Sequence, residues 1–505
     1  VTHKKETEDP VMFSADFYQT APVIALCASL GAVPLIALSR RYPNLREFWT
    51  FAAAGVKFSM VLLLAGWILA GNVVEVTLIQ VLPELGIRLR VDAFGIVFAL
   101  VSSFLWIVAA AYTIGYMRGL SEHAQTRFFI CFALSLCAAI GVAFSGNLLT
   151  LYLFYEMLSL STYPLVAHHQ DKEGRGGARK YLTFLLGGSV GLVLPAMIVL
   201  FILGGNLTFA DNIHTGIIPD RTGTPVVFCL FFAFLFGFAK NGVMPLHAWL
   251  PGAMVAPTPV SALLHAVAVV KVGVFCTTRV MLYVFGTDLM EALNLGLLAA
   301  YIVSFTIVTA SVIAMTKDNL KARLAYSTIS QLSYIILGVA LLTPAAVQGG
   351  IIHIVNHAFA KITLFFCAGA IYVVTHKKNI SEMGGLGRVM PFTFGAFALA
   401  SLSMIGAPPM GGFITKWYLL KGVMDAGQLA IILVLAASTL LNIVYFAPVT
   451  FQGFFGRPPD GEPAGAGIRE APLIMVVPMV AAAVLSLLTG MFPGVMMQFV
   501  RMVIS

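Results

Sequence analysis

The chain has 505 residues, of which 59% are hydrophobic and only 10% charged, with a formal net charge of +8 and a mean hydropathy of +0.93. A water-soluble chain needs about 25% charged residues to solvate its surface, so this composition excludes an ordinary soluble protein and leaves lipid as the solvent for most of it. The positive balance is then no sign of nucleic acid binding, because on a membrane protein it reflects basic loops that set orientation.

The first ten residues, "VTHKKETEDP", are polar, and the apolar run after them lacks a small-residue cleavage site. No cleavable signal peptide is expected, and the first helix should stay in the membrane. A helix needs roughly 20 apolar residues to cross about 30 Å of hydrocarbon. By that measure the sequence predicts about fourteen spans: 20–39, 50–70, 92–116, 126–146, 148–168, 179–204, 225–250, 258–283, 294–315, 322–342, 347–375, 392–422, 427–453 and 472–498. The expected fold is an all-α polytopic membrane protein. The longest polar connection, roughly 205–224, is too short to fold alone, so residues 1–505 form a single integral membrane domain. Cys27, Cys131, Cys137, Cys229, Cys276 and Cys367 all fall in apolar runs and read as packing residues. The basic loops "RRYPNLR", "DKEGRGGARK", "KDNLKAR" and "HKKNISEMGGLGR" follow odd-numbered spans. The positive-inside rule makes those loops cytoplasmic and puts both termini on the opposite side.

Two spans are interrupted. "FGFAKNGVMPLHAWLP" places Gly242, Pro245 and Pro251 in or after the seventh, and "SMIGAPPMGGFITKWYLL" places Gly406, Pro408, Pro409, Gly411 and Gly412 inside the twelfth. Proline removes a backbone donor, and in lipid the freed groups are tolerated only where protein or a water-filled cavity satisfies them. Each break has a lysine beside it, Lys240 and Lys416, and the two lie five spans apart. Five is odd, so a repeat with that spacing is inverted, an arrangement that in transporters points to the site.

Few ionisable residues are left at membrane depth: Lys57, Glu156, Lys240, His265, Lys271, His353, His357, Lys361 and Lys416. Each charge at mid-bilayer costs at least about 2.5–3.5 kcal/mol. Lys57 lies near the start of its span and is expected to snorkel to the interface. His247, in "PLHAW", reads as a loop residue or helix cap. Lys240, Lys271 and Lys416 lie deep in their spans or at a break and have no such explanation. Glu156 is the only deep carboxylate by this reading, so it is the expected partner of Lys240, the two titrating as one unit. His353, His357 and Lys361 follow each other by four residues, which advances only about 40° per step around a helix. They make one stripe, extended by Asn356, and histidine is the usual proton relay. His265 and Lys271 are six apart, about 120° around a regular helix, and share a face only where the helix is locally widened.

The stretches "AKNGVMPLHAWLPGAMVAPTPVSALLHAVAVVKVGVF", "RLAYSTISQLSYIILG", "HIVNHAFAKITLFFCAGAI" and "GAPPMGGFITKWYLL" resemble the antiporter-like, proton-translocating membrane subunits of respiratory complex I and of Mrp-type multisubunit sodium/proton antiporters. The resemblance covers about residues 90 to 450. It implies a fourteen-helix fold with two inverted five-helix repeats, over 126–283 and 294–453, each with a broken helix, numbers 7 and 12. It also implies a glutamate–lysine pair at Glu156 and Lys240, a mid-membrane Lys271 with His265 near it, a histidine and lysine at His357 and Lys361, and a terminal lysine at Lys416. Together these would form a hydrated axis for protons, with His353 added from the stripe.

Lys416 and the sequence "FYEMLSLSTYPLVAHHQDKE" bring the chain closest to the D-type member of the Mrp antiporters, and a chain stopping at 505 is expected to lack the lateral helix of complex I's most distal member. His168 and His169 read either as a solvated helix end, the commoner case, or as a proton inlet. The expected function is proton translocation within a multisubunit Na+/H+ antiporter of the bacterial cytoplasmic membrane, with other membrane subunits as partners. The alternatives are the pumping arm of a complex I-like oxidoreductase or energy-converting hydrogenase, and the energising partner of another solute-uptake complex. No flavin fingerprint, iron–sulfur spacing or haem motif is present in the sequence. No cofactor, metal or catalytic site is therefore expected in this chain.

Overall fold

The structure, a computed structural model, describes residues 14–83, 85–457 and 467–504. The polar first ten residues, on which the reading of no signal peptide rests, lie outside the described residues. Long apolar runs fold as helices because lipid offers backbone groups no alternative partner. In chain order these are α1 (Ala15–Leu38), α2 (Pro43–Leu69), α3 (Ala93–Gly119), α4 (Gln125–Ala143), α5 (Leu148–Val166), α6 (Lys172–Gly204), α7 (Thr224–Gly237) and α8 (Thr258–Phe285). They continue as α9 (Leu295–Met315), α10 (Leu320–Ala340), α11 (Pro344–Thr375), α12 (Pro391–Ile405), α13 (Gly411–Asp425), α14 (Leu429–Phe455), α15 (Leu473–Met491) and α16 (Gly494–Ile504).

Among the described residues, ten helices are long and apolar enough to cross a membrane. Two more, α5 and α10, are long but carry Glu156, or Lys321, Arg323 and Gln331. The remaining predicted spans are the interrupted ones. Regular helix in the seventh ends at Gly237, short of the predicted 250, and gives way to a single 3-10 turn, Ala239–Asn241, and an irregular stretch. Gly242 there has φ 73°, a left-handed conformation that glycine adopts without cost. The predicted 392–422 run divides into α12 and α13 at Gly406, whose φ is 87°.

The sequence reading missed a β-hairpin. Strands β1 (Val74–Leu82) and β2 (Leu85–Val91) pair antiparallel from Val74↔Val91 to Leu82↔Leu85, with irregularities at Thr77/Ile79 and Gln80/Leu82. The hairpin ties down the connections at its end of the molecule. Arg90 N donates to Phe144 O (2.6 Å) and Gly146 N to Arg88 O (2.9 Å), while the Asn147 amide reaches Gly86 O (2.7 Å). Phe209 N donates to Gly146 O, Ala210 N to Tyr283 O and Thr287 N to Ile213 O. Connections after the second, fourth, sixth and eighth predicted spans thus meet at one end. Those after odd-numbered spans, around residues 122, 169, 256, 319 and 377, surround a 520 Å³ cavity at another site.

Helices α5 and α10 begin alike. Asn147 caps α5 through Thr150 N (2.8 Å) and bridges to Thr208, while Asn319 caps α10 through Ala322 N (3.1 Å) and bridges to Asn379. Ser135 meets Ser161 at 3.1 Å between α4 and α5, as Ser311 meets Ser330 at 2.9 Å between α9 and α10.

Lys57 does not snorkel. It is fully buried and its ammonium donates to Leu136 O (2.9 Å), 4.8 Å from the Trp106 ring centre. The expectation failed because α2 begins at Pro43, well before residue 50, and so carries Lys57 to its middle. Four cysteines pack inside as expected, but Cys27 and Cys229 are exposed. Helix α8 lies against the broken seventh segment through Gly273, where an added Cβ would fall 2.2 Å from the Lys240 carbonyl carbon. Gly273→Ala should therefore displace the break and destabilise the protein by more than the ~1–3 kcal/mol of ordinary overpacking. A lowered melting temperature and yield of the purified variant would register this, and wild-type values for both would refute it.

Candidate functional site

The predicted polar residues converge on α11, a 32-residue helix that is buried along most of its length. The stripe of His353, His357 and Lys361 lies within it, each residue no more than 4% exposed. Glycines hold α10 against it: a Cβ on Gly338 would meet the Cα of Gly350 at 2.7 Å. From the other side comes α8, and the Lys271 ammonium lies 2.7 Å from His357 Nδ1. His265 reaches the same helix, its ring 4.6 Å from that of Phe365. Leu263–Val267, which contains His265 and precedes Lys271, is a π-helical turn. That is the local widening the six-residue spacing required, and it turns both side chains toward α11.

The line continues past His357. The rings of His357 and His353 are 5.5 Å apart. His353 Nδ1 is 3.2 Å from Thr415 Oγ1, and the His353 ring is 5.8 Å from that of Tyr334. The Lys416 ammonium is also near Tyr334, 5.9 Å from its ring centre. Lys416 donates to Ile405 O (2.6 Å) and Thr439 Oγ1 (2.8 Å). Ile405 is the last residue of α12, so this lysine satisfies a carbonyl that the break leaves unpaired. Asn356 fixes the start of α13, donating to Gly411 O (2.7 Å) and Thr415 Oγ1 (3.0 Å). Lys361 branches off to Leu324 O (3.1 Å) and to a short hydrogen bond with Ser327.

Lys240 and Glu156 are neighbours without touching. The Lys240 ammonium donates to Tyr155 O (2.8 Å) and Ser159 Oγ (2.7 Å) and lies 3.0 Å from the Tyr155 ring centre. It thus docks one residue short of Glu156, whose enclosed carboxylate oxygens have no hydrogen-bond partner. Glu156 is thus a neighbouring charge and not a contact partner, since Tyr155 O and Ser159 Oγ take the hydrogen bonds of the ammonium. His247 lies in the irregular stretch after Gly242, as expected of a loop residue. His168 is fully buried and not a solvated helix end, whereas the side chain of His169 is 37% exposed.

The partner residues Tyr155, Ser159, Tyr334, Thr415 and Thr439 escaped the sequence reading, since hydroxyls are common in apolar helices. So did Arg279, although it lies inside the eighth predicted span. It makes a two-pronged ion pair with Asp92, at 2.5 and 2.9 Å. Both nitrogens of His265, and Nε2 of His353 and His357, are buried without a protein partner. Each such atom costs about 1–3 kcal/mol if nothing satisfies it, and in a native fold it calls for water, an ion or a working role. The arrangement is a chain of proton-carrying groups, from Lys271 through His357 and His353 to Lys416, enclosed by apolar helices.

Comparison with known proteins adds a family, two relatives and two solved structures. The family described as NADH:quinone oxidoreductase/Mrp antiporter, TM, matches residues 145–442. NADH-quinone oxidoreductase subunit N of Desulforudis audaxviator (strain MP104C) is 32% identical over 488 residues, 93% of this chain and 94% of that protein. Na(+)/H(+) antiporter subunit A1 of Staphylococcus haemolyticus (strain JCSC1435) is 31% identical over 460 residues, 85% of this chain but 55% of that longer protein. The same fold occurs in a chain of the Mrp complex from Dietzia sp. DQ12-45-1b, with a TM-score of 0.85 at 21% identity over 97% of both chains. It occurs again in an archaeal respiratory membrane complex, the membrane-bound sulfane sulfur reductase, with a TM-score of 0.85 at 22% identity over 96% of this chain and 98% of that one.

Proposed function

Because the chain belongs to the NADH:quinone oxidoreductase/Mrp antiporter membrane family, we propose that it moves protons along the buried line of Glu156, Lys240, His265, Lys271, His357, His353, Lys361 and Lys416. The observation that carries this reading is the 2.7 Å contact between Lys271 and His357. It joins two helices through a pair of groups able to exchange a proton. The chain then acts as a subunit of a larger membrane assembly and converts no substrate of its own.

Its setting is the bacterial cytoplasmic membrane, with both termini on the outer side and the 520 Å³ cavity facing the cytoplasm. Residues 126–283 and 294–453 are two inverted repeats. The matched Asn147 and Asn319 caps, the paired serine contacts and the two breaks support that division. A monovalent cation antiporter is the leading setting. The pumping arm of a quinone-reducing complex is the second, favoured by the near full-length match to the NADH-quinone oxidoreductase relative.

Lys240→Ala and Lys416→Ala test the path at its two broken helices. Everted vesicles containing the whole complex should lose at least about tenfold of their ΔpH-dependent transport with either variant, as expected when a proton-transfer group is removed. Wild-type transport in both would refute the proton line.

A further inference from the structure

Outside the membrane-spanning helices, two connections bring three histidines and a carboxylate together. Residues 120–124 follow α3 and residues 167–171 follow α5. Ser121 and Ala124 are left-handed (φ 51° and 49°), which turns the first connection sharply and presents Glu122 and His123 side by side. Its backbone is pinned: Glu122 N donates to Met117 O (2.9 Å), and the Gln125 amide donates to Glu122 O (3.1 Å). The second connection is held by Arg127, which donates to His168 O (3.0 Å).

One oxygen of Glu122, Oε2, faces three imidazole nitrogens. It lies 3.6 Å from His168 Nε2, 3.8 Å from His169 Nδ1 and 3.9 Å from His123 Nδ1. Donor atoms of Glu122, His123 and His168 all fall within 4.8 Å of one another. His168 is fully buried; its Nδ1 has no partner, and its Nε2 has only the long 3.6 Å approach to Glu122. A buried imidazole aimed at a carboxylate without a hydrogen bond of its own is the independent sign of a missing occupant.

We propose that Glu122, His123 and His168, with His169 as a fourth donor, form a binding site for a divalent transition ion of the zinc class. Zinc–ligand bonds of 2.0–2.1 Å in a tetrahedron put donors about 3.3 Å apart. The separations from Glu122 therefore need to close by only about 0.3–0.6 Å. Imidazole-rich sets suit zinc, copper and nickel, whereas calcium and magnesium require oxygen ligands. Access is open, since the side chain of His123 is 53% exposed while that of His168 is enclosed. Glu122 and His169 also line the 520 Å³ cavity, so a bound ion sits on its rim.

Cobalt(II) is the probe, titrated into the purified full-length protein and followed by its visible absorption. The wild type should develop the bands of a four-coordinate ion, and an equivalent of zinc should remove them. His123→Ala and Glu122→Gln should each weaken the apparent affinity at least about tenfold, no less than the loss of a residue that merely supports a ligand. His376→Ala, at the same cavity but outside the cluster, should leave the affinity unchanged. Absence of cobalt bands in the wild type overturns the site, and so does unchanged affinity in His123→Ala. His123 is half exposed, so this variant keeps the test valid even where His168→Ala fails to fold. The readout needs no transport, and therefore separates this site from the proton line.

Discussion

Lys271→Ala and His357→Ala should each lower proton-coupled transport about a hundredfold, the low end of what removing a proton-transfer group costs. Both side chains are buried, and the 2.7 Å contact makes each the other's polar partner across α8 and α11. Removing either leaves its mate without a partner, so the double variant should be no worse than the poorer single one. Lys271→Arg separates a relay from a structural post. Arginine keeps the charge and the donors but holds its proton at every physiological pH. The arginine variant should assemble normally, shown by co-purification of partner subunits, and yet fail in ΔpH-driven dye quenching. Transport at the wild-type rate in Lys271→Arg would reduce the contact to packing.

The second large effect concerns stability. Asp92 does two jobs: it caps α3 by accepting from Gly95 N (2.7 Å) and it receives both prongs of Arg279. Arg279 is 1% exposed and lies among the rings of Tyr283 (4.7 Å), Phe94 (5.0 Å), Phe275 (5.2 Å) and Phe209 (5.6 Å). Breaking a buried ion pair from one side costs about 3–5 kcal/mol, because the surviving charge is left without compensation. Asp92→Ala and Arg279→Met should therefore each melt at a much lower temperature in detergent, the former also losing its helix cap. Combining Asp92→Leu with Arg279→Met removes both charges and should recover much of the loss. Single variants that melt with the wild type would show that the pair carries no such weight.

The membrane spans were legible because their signal is local: about 20 apolar residues in a row. So was the widened turn in α8, since a six-residue spacing between two deep polar groups leaves few geometries. The hairpin was not found, although "VEVTLIQVLPELGIRLRV" alternates and contains a Pro turn. A search for apolar runs passes over alternation with a period of two. The fate of Lys57 and the docking of Lys240 on Tyr155 and Ser159 were hidden for another reason. Both depend on which neighbour lies opposite, and Leu136 and Tyr155 are about 80 residues away in the chain. The stripe on α11 was visible as a periodicity, but its contacts with Lys271 and Thr415 exist only once three helices are packed.

The hairpin end and the cavity end differ mechanically. At the first, main-chain bonds lace the hairpin to the connections around residues 144–147, and these in turn to those around 209, 213 and 284, so that no single segment can swing without breaking several bonds at once. At the second, the walls around the cavity come from five connections, and among the described residues main-chain bonds join only those around 319 and 379. Local opening favours the region with fewer shared bonds. The molecule is stiffer at its hairpin plate than at its mouth.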